Sequence, residues 1–197
     1  LRRVPCSGCG LNKRYIFNRV ALTHNFDVLA TGHNLDDEAA TLLGNVIHWE
    51  QEALRRQSPL LESTHPTLVK KVKPLYTLTE RESASYCLIR GINYVEEECP
   101  NALGAHSLIY KDALNRIETM SPGSKQQFFQ GFLERMQPTL QRSDPIVLKE
   151  CEQCGQTTTG EVCSFCRMWN KARDLKNHDA ATTIDPQLHS NGNAAKS

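Results

Sequence analysis

Cysteine is the residue with the most chemistry to offer here: the chain has eight, and six of them form Cys-x-x-Cys pairs. Cys151/Cys154 and Cys163/Cys166 stand close together towards the C-terminal end. Two turns that each present both sulfurs to one ion match a tetrahedral four-thiolate zinc site. Gly155 directly follows the second cysteine, where a tight turn aims backbone N–H groups at sulfur. The residues between the pairs include Thr157, Thr158, Thr159 and Gly160. They cannot build an apolar core, so the folding energy must come from the metal. Two disulfides or free thiols are the alternatives. With four cysteines closing the coordination sphere, the predicted role of the ion is structural.

The third pair, Cys6-Ser7-Gly8-Cys9, is placed by the pattern just before a helix and is flanked by Arg2, Arg3, Lys13 and Arg14. A helix N-terminus and nearby cations both favour thiolate over thiol. A redox dithiol, half of a zinc site and iron–sulfur ligands all fit, and spacing alone does not separate them. Thr31-Gly32-His33-Asn34-Leu35-Asp36-Asp37-Glu38 follows a short apolar run and opens a helix, the place where open α/β sheets bind ligands. Gly32 would let the backbone approach a nucleotide, and Asp37 would orient ATP or its Mg²⁺. The plain alternative is a well-capped helix whose acids sit at its positive end. His33 is assigned only support of the turn. Cys99 is a core thiol or a ligand, and Cys87, between Tyr86 and Leu88, reads as core.

The elements that must position these residues follow from periodicity. An amphipathic helix is predicted over Leu11–Asn25, a buried strand over Asp27–Ala30, and a helix from Leu35 to Arg56 capped by Asn34. Residues 58–67 read as a loop, and Leu68–Leu75 as an edge strand closed by Pro74. Thr79 and Glu82 form a capping box for a helix over Glu80–Arg90 that stops at Gly91. Ile92–Val95 is a second buried-strand candidate. Helices are expected over Ser107–Met120 and Lys125–Met136, and a disordered polar tail after Asp174. Strand–helix–strand alternation with a helix-rich end indicates part of an α/β parallel sheet.

Composition adds limits. The chain has 197 residues, 39% hydrophobic and 23% charged, with a net charge of +1. That charge makes no case for nucleic acid, but Leu1–Asn25 carries Arg2, Arg3, Lys13, Arg14 and Arg19 and no acid. No signal peptide is visible and no apolar run is long enough for a bilayer. A start at Leu1, with Cys6 almost at once, leads us to expect a fragment. Paired cysteines suit a reducing cytoplasm better than a disulfide framework.

The segments Pro5-Cys-Ser-Gly-Cys-Gly-Leu-Asn-Lys-Arg-Tyr15 and Ala30-Thr-Gly-His-Asn-Leu-Asp-Asp-Glu-Ala39, then Lys73-Pro-Leu75, Glu98-Cys-Pro100 and the terminal cysteine module, occur in this order. The chain thereby resembles the TtcA/TtuA family of tRNA thiolation enzymes, in particular its two-zinc-finger TtuA and Ncs-type branch. The resemblance runs from Pro5 to Cys166. It implies a partial adenine-nucleotide alpha-hydrolase-like (PP-loop ATP pyrophosphatase) sheet over residues 1–143, a four-cysteine zinc module over 144–173 and a tail over 174–197. It implies that Cys6, Cys9 and Cys99 hold a [4Fe–4S] cluster with one iron left open for sulfide. Gly32 and Asp37 would sit at the ATP site with Mg²⁺, and Lys13 beside the reacting centre. The implied reaction transfers AMP to the C2 oxygen of a tRNA uridine and then replaces that oxygen by sulfur. Implied partners are tRNA, a thiocarboxylated ubiquitin-like carrier or free sulfide as sulfur donor, and a second copy in a homodimer, all in the cytoplasm. The family's Ser-Gly-Gly-x-Asp-Ser pyrophosphate loop and first zinc finger do not occur between Leu1 and Ser197, so this polypeptide alone is expected to be inactive. Another PP-loop enzyme such as a tRNA lysidine synthase, and a zinc-binding interaction module without catalysis, are the competing readings.

Overall fold

The computed structural model describes residues 5–97, 99–102, 105–140 and 147–182, with only the backbone given for 176–182. Arg2, Arg3, Glu98, the predicted boundary at 143/144 and residues 183–197 lie outside the described residues. The first helix, α1, spans Pro5–Thr23. It therefore begins at the cysteine pair and not after it, as the sequence pattern suggested. Proline is favoured at the first helical position because its missing N–H has no intrahelical partner there, and its fixed φ is already helical. Cys6 and Cys9 consequently lie on the first turn of α1, three residues apart on one face.

The main sheet has three strands in the order β1-β3-β2: β1 is Val28–Ala30, β2 Leu60–Leu61 and β3 Lys70–Val72. β1 and β3 run parallel with Leu29 opposite Lys71, while β2 pairs antiparallel to β3 with Leu60 opposite Val72. This corrects three expectations. β3 is the central strand, because β2 forms inside the predicted 58–67 loop and covers its other edge. β1 is the edge strand, paired on one side only among the described residues, and it is exposed at Val28 and Ala30, so it is not a buried strand. Ile92–Val95 forms no strand: Val95 is 82% exposed and no ladder partner among the described residues reaches the segment.

Helix α2, Leu35–Ile47, lies at the centre of the core, between α5 (His106–Met120) and α6 (Ser124–Gly131). Leu35 and Leu42 pack with Leu54, Phe129 and Phe132, and Ala39 and Ala40 pack with Leu114. The predicted helix to Arg56 is broken at Trp49, whose φ is +52°. The short helix α3, Gln51–Arg55, restarts there and turns Leu54 back into the core. Gly44 permits the close approach of α5, since a Cβ there would lie 2.8 Å from the Tyr110 ring. Helix α4, Glu80–Arg90, has the predicted Thr79/Glu82 capping box and ends at Gly91 in the left-handed region. It buries none of its residues, so Cys87 is a half-buried thiol and not a core one. After α6 the chain widens into a π turn at Phe132–Met136 and then tightens over Gln137–Leu140.

The acids that open α2 do more than complement its dipole. Each takes a lysine from a different direction, because successive helical residues are turned by about 100°. Asp36, 3% exposed, pairs with Lys125 at the start of α6 and accepts the Glu80 N–H of α4 at 2.7 Å. Lys125, 5% exposed, also donates to Asn115 of α5. Asp37 pairs with Lys111 of α5 at 2.8 Å, and Glu38 with Lys73 at the end of β3 at 2.7 Å. Removing one partner of a buried pair strands the other charge. Lys125→Ala is therefore expected to cost about 3–5 kcal/mol, read as a lower urea midpoint, whereas breaking the exposed Arg116–Asp112 pair by Asp112→Asn should leave the midpoint nearly unchanged.

Candidate functional site

The C-terminal cysteines form a compact site. β4, Lys149–Glu150, and β5, Thr157–Thr158, make a two-stranded hairpin, and α7, Ser164–Thr182, begins between the last two cysteines. The helix continues past Asp174, where the sequence suggested that order ends. Gly155 adopts φ +72° and its N–H bonds to the Cys151 carbonyl at 2.8 Å, which folds the first cysteine turn back on itself. The sulfurs of Cys151, Cys154, Cys163 and Cys166 all lie within 4.8 Å of one another. Cys154 Sγ and Cys163 Sγ are 3.7 Å apart. A disulfide would require about 2.05 Å, whereas metal–sulfur bonds of about 2.3 Å imply tetrahedron edges of about 3.8 Å. The disulfide alternative therefore fails, and the four cysteines are arranged as ligands for one metal ion.

Its electrostatics agree. Burial pushes the Cys151 thiol up, but the N–H groups of Cys163, Gln153 and Cys154 outweigh this and hold it at about 6. Burial, then the neighbouring sulfurs, push the Cys166 thiol up, and burial does the same for Cys163. One anion is accommodated by the backbone, and a cation is what would allow the others to ionise.

This module is fastened directly to α1. Phe165 stacks on Tyr15 with ring centroids 3.6 Å apart, and the Trp169 indole donates to Asn12 Oδ1 at 3.0 Å. Asn12 in turn donates to the carbonyl of Gly8, which lies between Cys6 and Cys9, at 2.9 Å. Buried Asn18 donates to Gln156 and to the Thr67 carbonyl and accepts the Val69 N–H, joining α1 to both sheets. Asn12 lies inside the leading cysteine segment but has no chemistry assigned to it there, and Asn18 belongs to no motif in the sequence. Their roles become visible only once α7 and β3 are in place.

A second site lies at the C-terminal end of β1. A cavity of about 480 Å³ is lined by Phe17, Leu29, Ala30, Thr31, Gly32, His33 and Asp37. A Cβ on Gly32 would meet nothing within 4 Å, so no packing demands glycine there and the free space belongs to the cavity. Thr31 and His33 are joined through Oγ1 and Nδ1 at 2.8 Å, in line with support of the turn. Asp37 is half-buried and its oxygens are divided. Oδ2 accepts the Asn34 N–H in a capping box, and Oδ1 meets Lys111, which also reaches Glu80 at 2.6 Å. Burial alone would lower the Lys111 ammonium, but its bonds to Asp37 and Glu80 hold it above its ordinary value.

Helix periodicity relates the two sites. Cys6, Cys9, Lys13 and Phe17 follow at intervals of three and four residues, so they occupy one stripe of α1 roughly 80° wide. Phe17 enters the cavity beside Asp37, and Lys13 lies one turn before it, exposed. At the other end, Cys6 Sγ lies 3.3 Å from the Asn101 carbonyl, in the 3₁₀ turn Pro100–Ala102 that directly follows Cys99. The leading pair and the turn carrying Cys99 are thus neighbours. Their sulfurs do not crowd within 4.8 Å as the terminal four do; among the described residues only those four converge in that way. Cys9 and Cys99 are exposed and Cys6 is half-buried.

The chain thus combines an α/β fold, a cavity at a parallel strand end, a cysteine pair beside the turn after Cys99 and a four-cysteine metal-binding group, the last of which places it among metal-binding α/β proteins. No protein-family model matches the chain. It is, however, homologous to the TtuA/NcsA-type tRNA 2-thiolation proteins. It is 56% identical over 168 residues to the tRNA-5-methyluridine(54) 2-sulfurtransferase of Thermus thermophilus, covering 85% of this chain and 52% of that protein. The Pyrococcus horikoshii protein of the same name is 43% identical over 188 residues, 94% of this chain and 59% of the relative. The solved U34-tRNA thiolase NcsA from Methanococcus maripaludis, with its [4Fe–4S] cluster, superposes with a TM-score of 0.70 at 31% identity. That match covers 85% of this chain and 53% of the other. The chain thus spans between half and three-fifths of the length of these proteins. No helix among the described residues is long and apolar enough to cross a membrane.

Metal removal gives a direct test of the four-thiolate centre. The chain has two tryptophans, so in a Trp49→Phe background Trp169 is its sole reporter. Chelation is expected to red-shift Trp169 emission as its contact with Asn12 opens. Acidification should do the same, because Cys163 and Cys166 must lose protons to bind and regain them as pH falls. Emission indifferent to both would remove the metal from the account of this module.

Proposed function

We propose that the complete protein containing this chain is an ATP-dependent tRNA 2-sulfurtransferase that converts a uridine C2 carbonyl into a thiocarbonyl. The observation that carries the proposal is the single stripe of α1 that leads from Cys6 and Cys9 through Lys13 to the Phe17/Gly32/Asp37 cavity. Identity to the position-54 sulfurtransferases, 56% and 43%, exceeds the 31% to the position-34 thiolase, which favours 5-methyluridine at position 54 as substrate.

In this reading the cavity takes ATP. The open space over Gly32 admits a phosphate close to backbone, and Asp37 orients Mg²⁺ or the nucleotide. The uracil C2 oxygen attacks the α-phosphate, the bond to pyrophosphate breaks, and the oxygen becomes part of a good leaving group. Lys13, one turn from Phe17, neutralises negative charge on the phosphate and then on departing AMP. Sulfur at the sulfide level adds at C2 and the C2–O bond breaks, so no external oxidant or reductant is required. Cys6, Cys9 and Cys99 would hold a [4Fe–4S] cluster, whose contribution is to store that sulfur on an iron without a cysteine ligand. Cys151, Cys154, Cys163 and Cys166 would hold Zn²⁺ as a structural ion. A thiocarboxylated carrier protein or sulfide would replenish the sulfur, and a homodimer in the cytoplasm is the proposed assembly.

The capping box and the Lys111 pair make a purely structural Asp37 the one specific competing role. Asp37→Asn separates the two. Asparagine still accepts the Asn34 N–H but loses the negative charge. Full-length protein carrying it is expected to melt near wild type, yet to lose thiolation, measured as 5-methyl-2-thiouridine in digested tRNA, by about 10²-fold or more. A variant that melts early and retains its turnover would make Asp37 structural. In anaerobically purified full-length protein, Cys99→Ala should abolish the iron and leave the zinc; unchanged iron would remove Cys99 from the ligand set.

A further inference from the structure

A groove of about 970 Å³ runs between α1, the α3 region, β3 and the C-terminal metal module, and the proposed reaction does not use it. Arg14, Arg55, Arg56 and Lys71 line it, with Glu52 as its one acid. Glu52 pairs with Arg55. No ion pair among the described residues neutralises Arg14, Arg56 or Lys71. Lys71 differs from its neighbour Lys70, which pairs with Glu62 at 3.0 Å. Burial, and then the Arg14 guanidinium, draw the Lys71 ammonium below its ordinary value. A half-buried ammonium held beside the exposed Arg14 guanidinium with no counterion among the described residues is costly, and an arriving anion removes that cost.

The remaining lining is suited to a sugar-phosphate chain. Thr157, Thr158 and Thr159 bring hydroxyls from the β4–β5 hairpin of the metal module. The groove face of α1 is Leu11, Arg14, Tyr15 and Asn18, at helical spacing and next to the stripe that carries Cys6, Cys9, Lys13 and Phe17. Arg14 lies five residues from Cys9, about 7.5 Å along the helix. A chain lying in the groove therefore passes within one or two nucleotides of the proposed reacting centre.

We propose that this groove is the site where the tRNA phosphodiester backbone is held, with Arg14, Arg56 and Lys71 as the phosphate contacts and the β4–β5 hairpin as its far wall. The inference rests on the sulfurtransferase reading and gives it a place for the substrate. It assigns the metal module a second task, since the hairpin closes the groove only when the four cysteines are gathered. Backbone contacts of this kind supply affinity and orientation and carry no sequence information.

The test is a titration of metal-loaded full-length protein with substrate tRNA over a series of KCl concentrations. Lys71→Gln and Arg56→Gln are each expected to weaken binding about fivefold and to reduce the slope of log K against log salt by about one. Zinc content reports folding of each variant; if Lys71→Gln loses its zinc, exposed Arg56→Gln carries the test. ATP affinity should not change, because the nucleotide cavity lies on another face of α1. Unchanged tRNA affinity and slope in the folded variants overturn the groove and leave the sulfurtransferase reading standing. An equal loss of ATP affinity would mean that these cations serve the nucleotide and would also overturn it. A wild-type protein that binds no tRNA overturns both.

Discussion

The continuity of α1 from Pro5 is the constraint on which the other features depend. One unbroken helix must serve three faces at once, and its periodicity separates the cysteine stripe from the two neighbouring faces that meet at Tyr15. Cys6, Cys9, Lys13 and Phe17 face the turn after Cys99 and the strand-end cavity. Gly8, Asn12 and Tyr15 face α7. Leu11, Arg14, Tyr15 and Asn18 face the basic groove. Were the cysteine pair in a loop ahead of the helix, the distance between the pair and the strand-end cavity would float with that loop. Inside the helix, Cys9 and Phe17 are held about 12 Å apart along the axis.

The same logic of rigid placement governs α2. Its three opening acids are bound to lysines from α6, α5 and the end of β3, which fixes the helix N-terminus against three parts of the core. Asp36 and Glu38 are buried and fully engaged, so they are poor candidates for binding anything else. Asp37 is the exception. It is half-buried beside an open cavity, and its Lys111 partner has Glu80 as a second anion. A cation arriving at Asp37 can displace Lys111 without leaving that ammonium stranded. Among three consecutive acids, the burial pattern thus leaves only the middle one open to the cavity.

Much of this was readable from the residues. The spacing of the four terminal cysteines, the Asn34 and Thr79 caps and the Gly91 stop depend on local chemistry and reappear in the structure. The resemblance to tRNA thiolation proteins rests on ordered motifs, and the homologous proteins bear it out. What the sequence obscured is non-local. Lys111 and Lys125 look like any solvated lysine until their carboxylate partners, 74 and 89 positions away in the chain, are placed. Asn12 and Asn18 are ordinary helix-surface residues except that α7 and β3 arrive over them. Ile92–Val95 has a strand's composition but no ladder partner among the described residues, and apolar composition cannot supply hydrogen bonds. The helical start at Pro5 was missed because a Cys-Ser-Gly-Cys run reads as a turn when the proline before it is not weighed as a first helical residue.

The central claim is that sulfur ligands and nucleotide share one side of α1. It is tested most directly by an anaerobic structure of the full-length protein with a non-hydrolysable ATP analogue. The account predicts the triphosphate over Gly32 with its metal at Asp37, a cubane on Cys6, Cys9 and Cys99, and Lys13 between them. A nucleotide bound elsewhere, or three cysteines facing separate cavities with α1 between them, would contradict it.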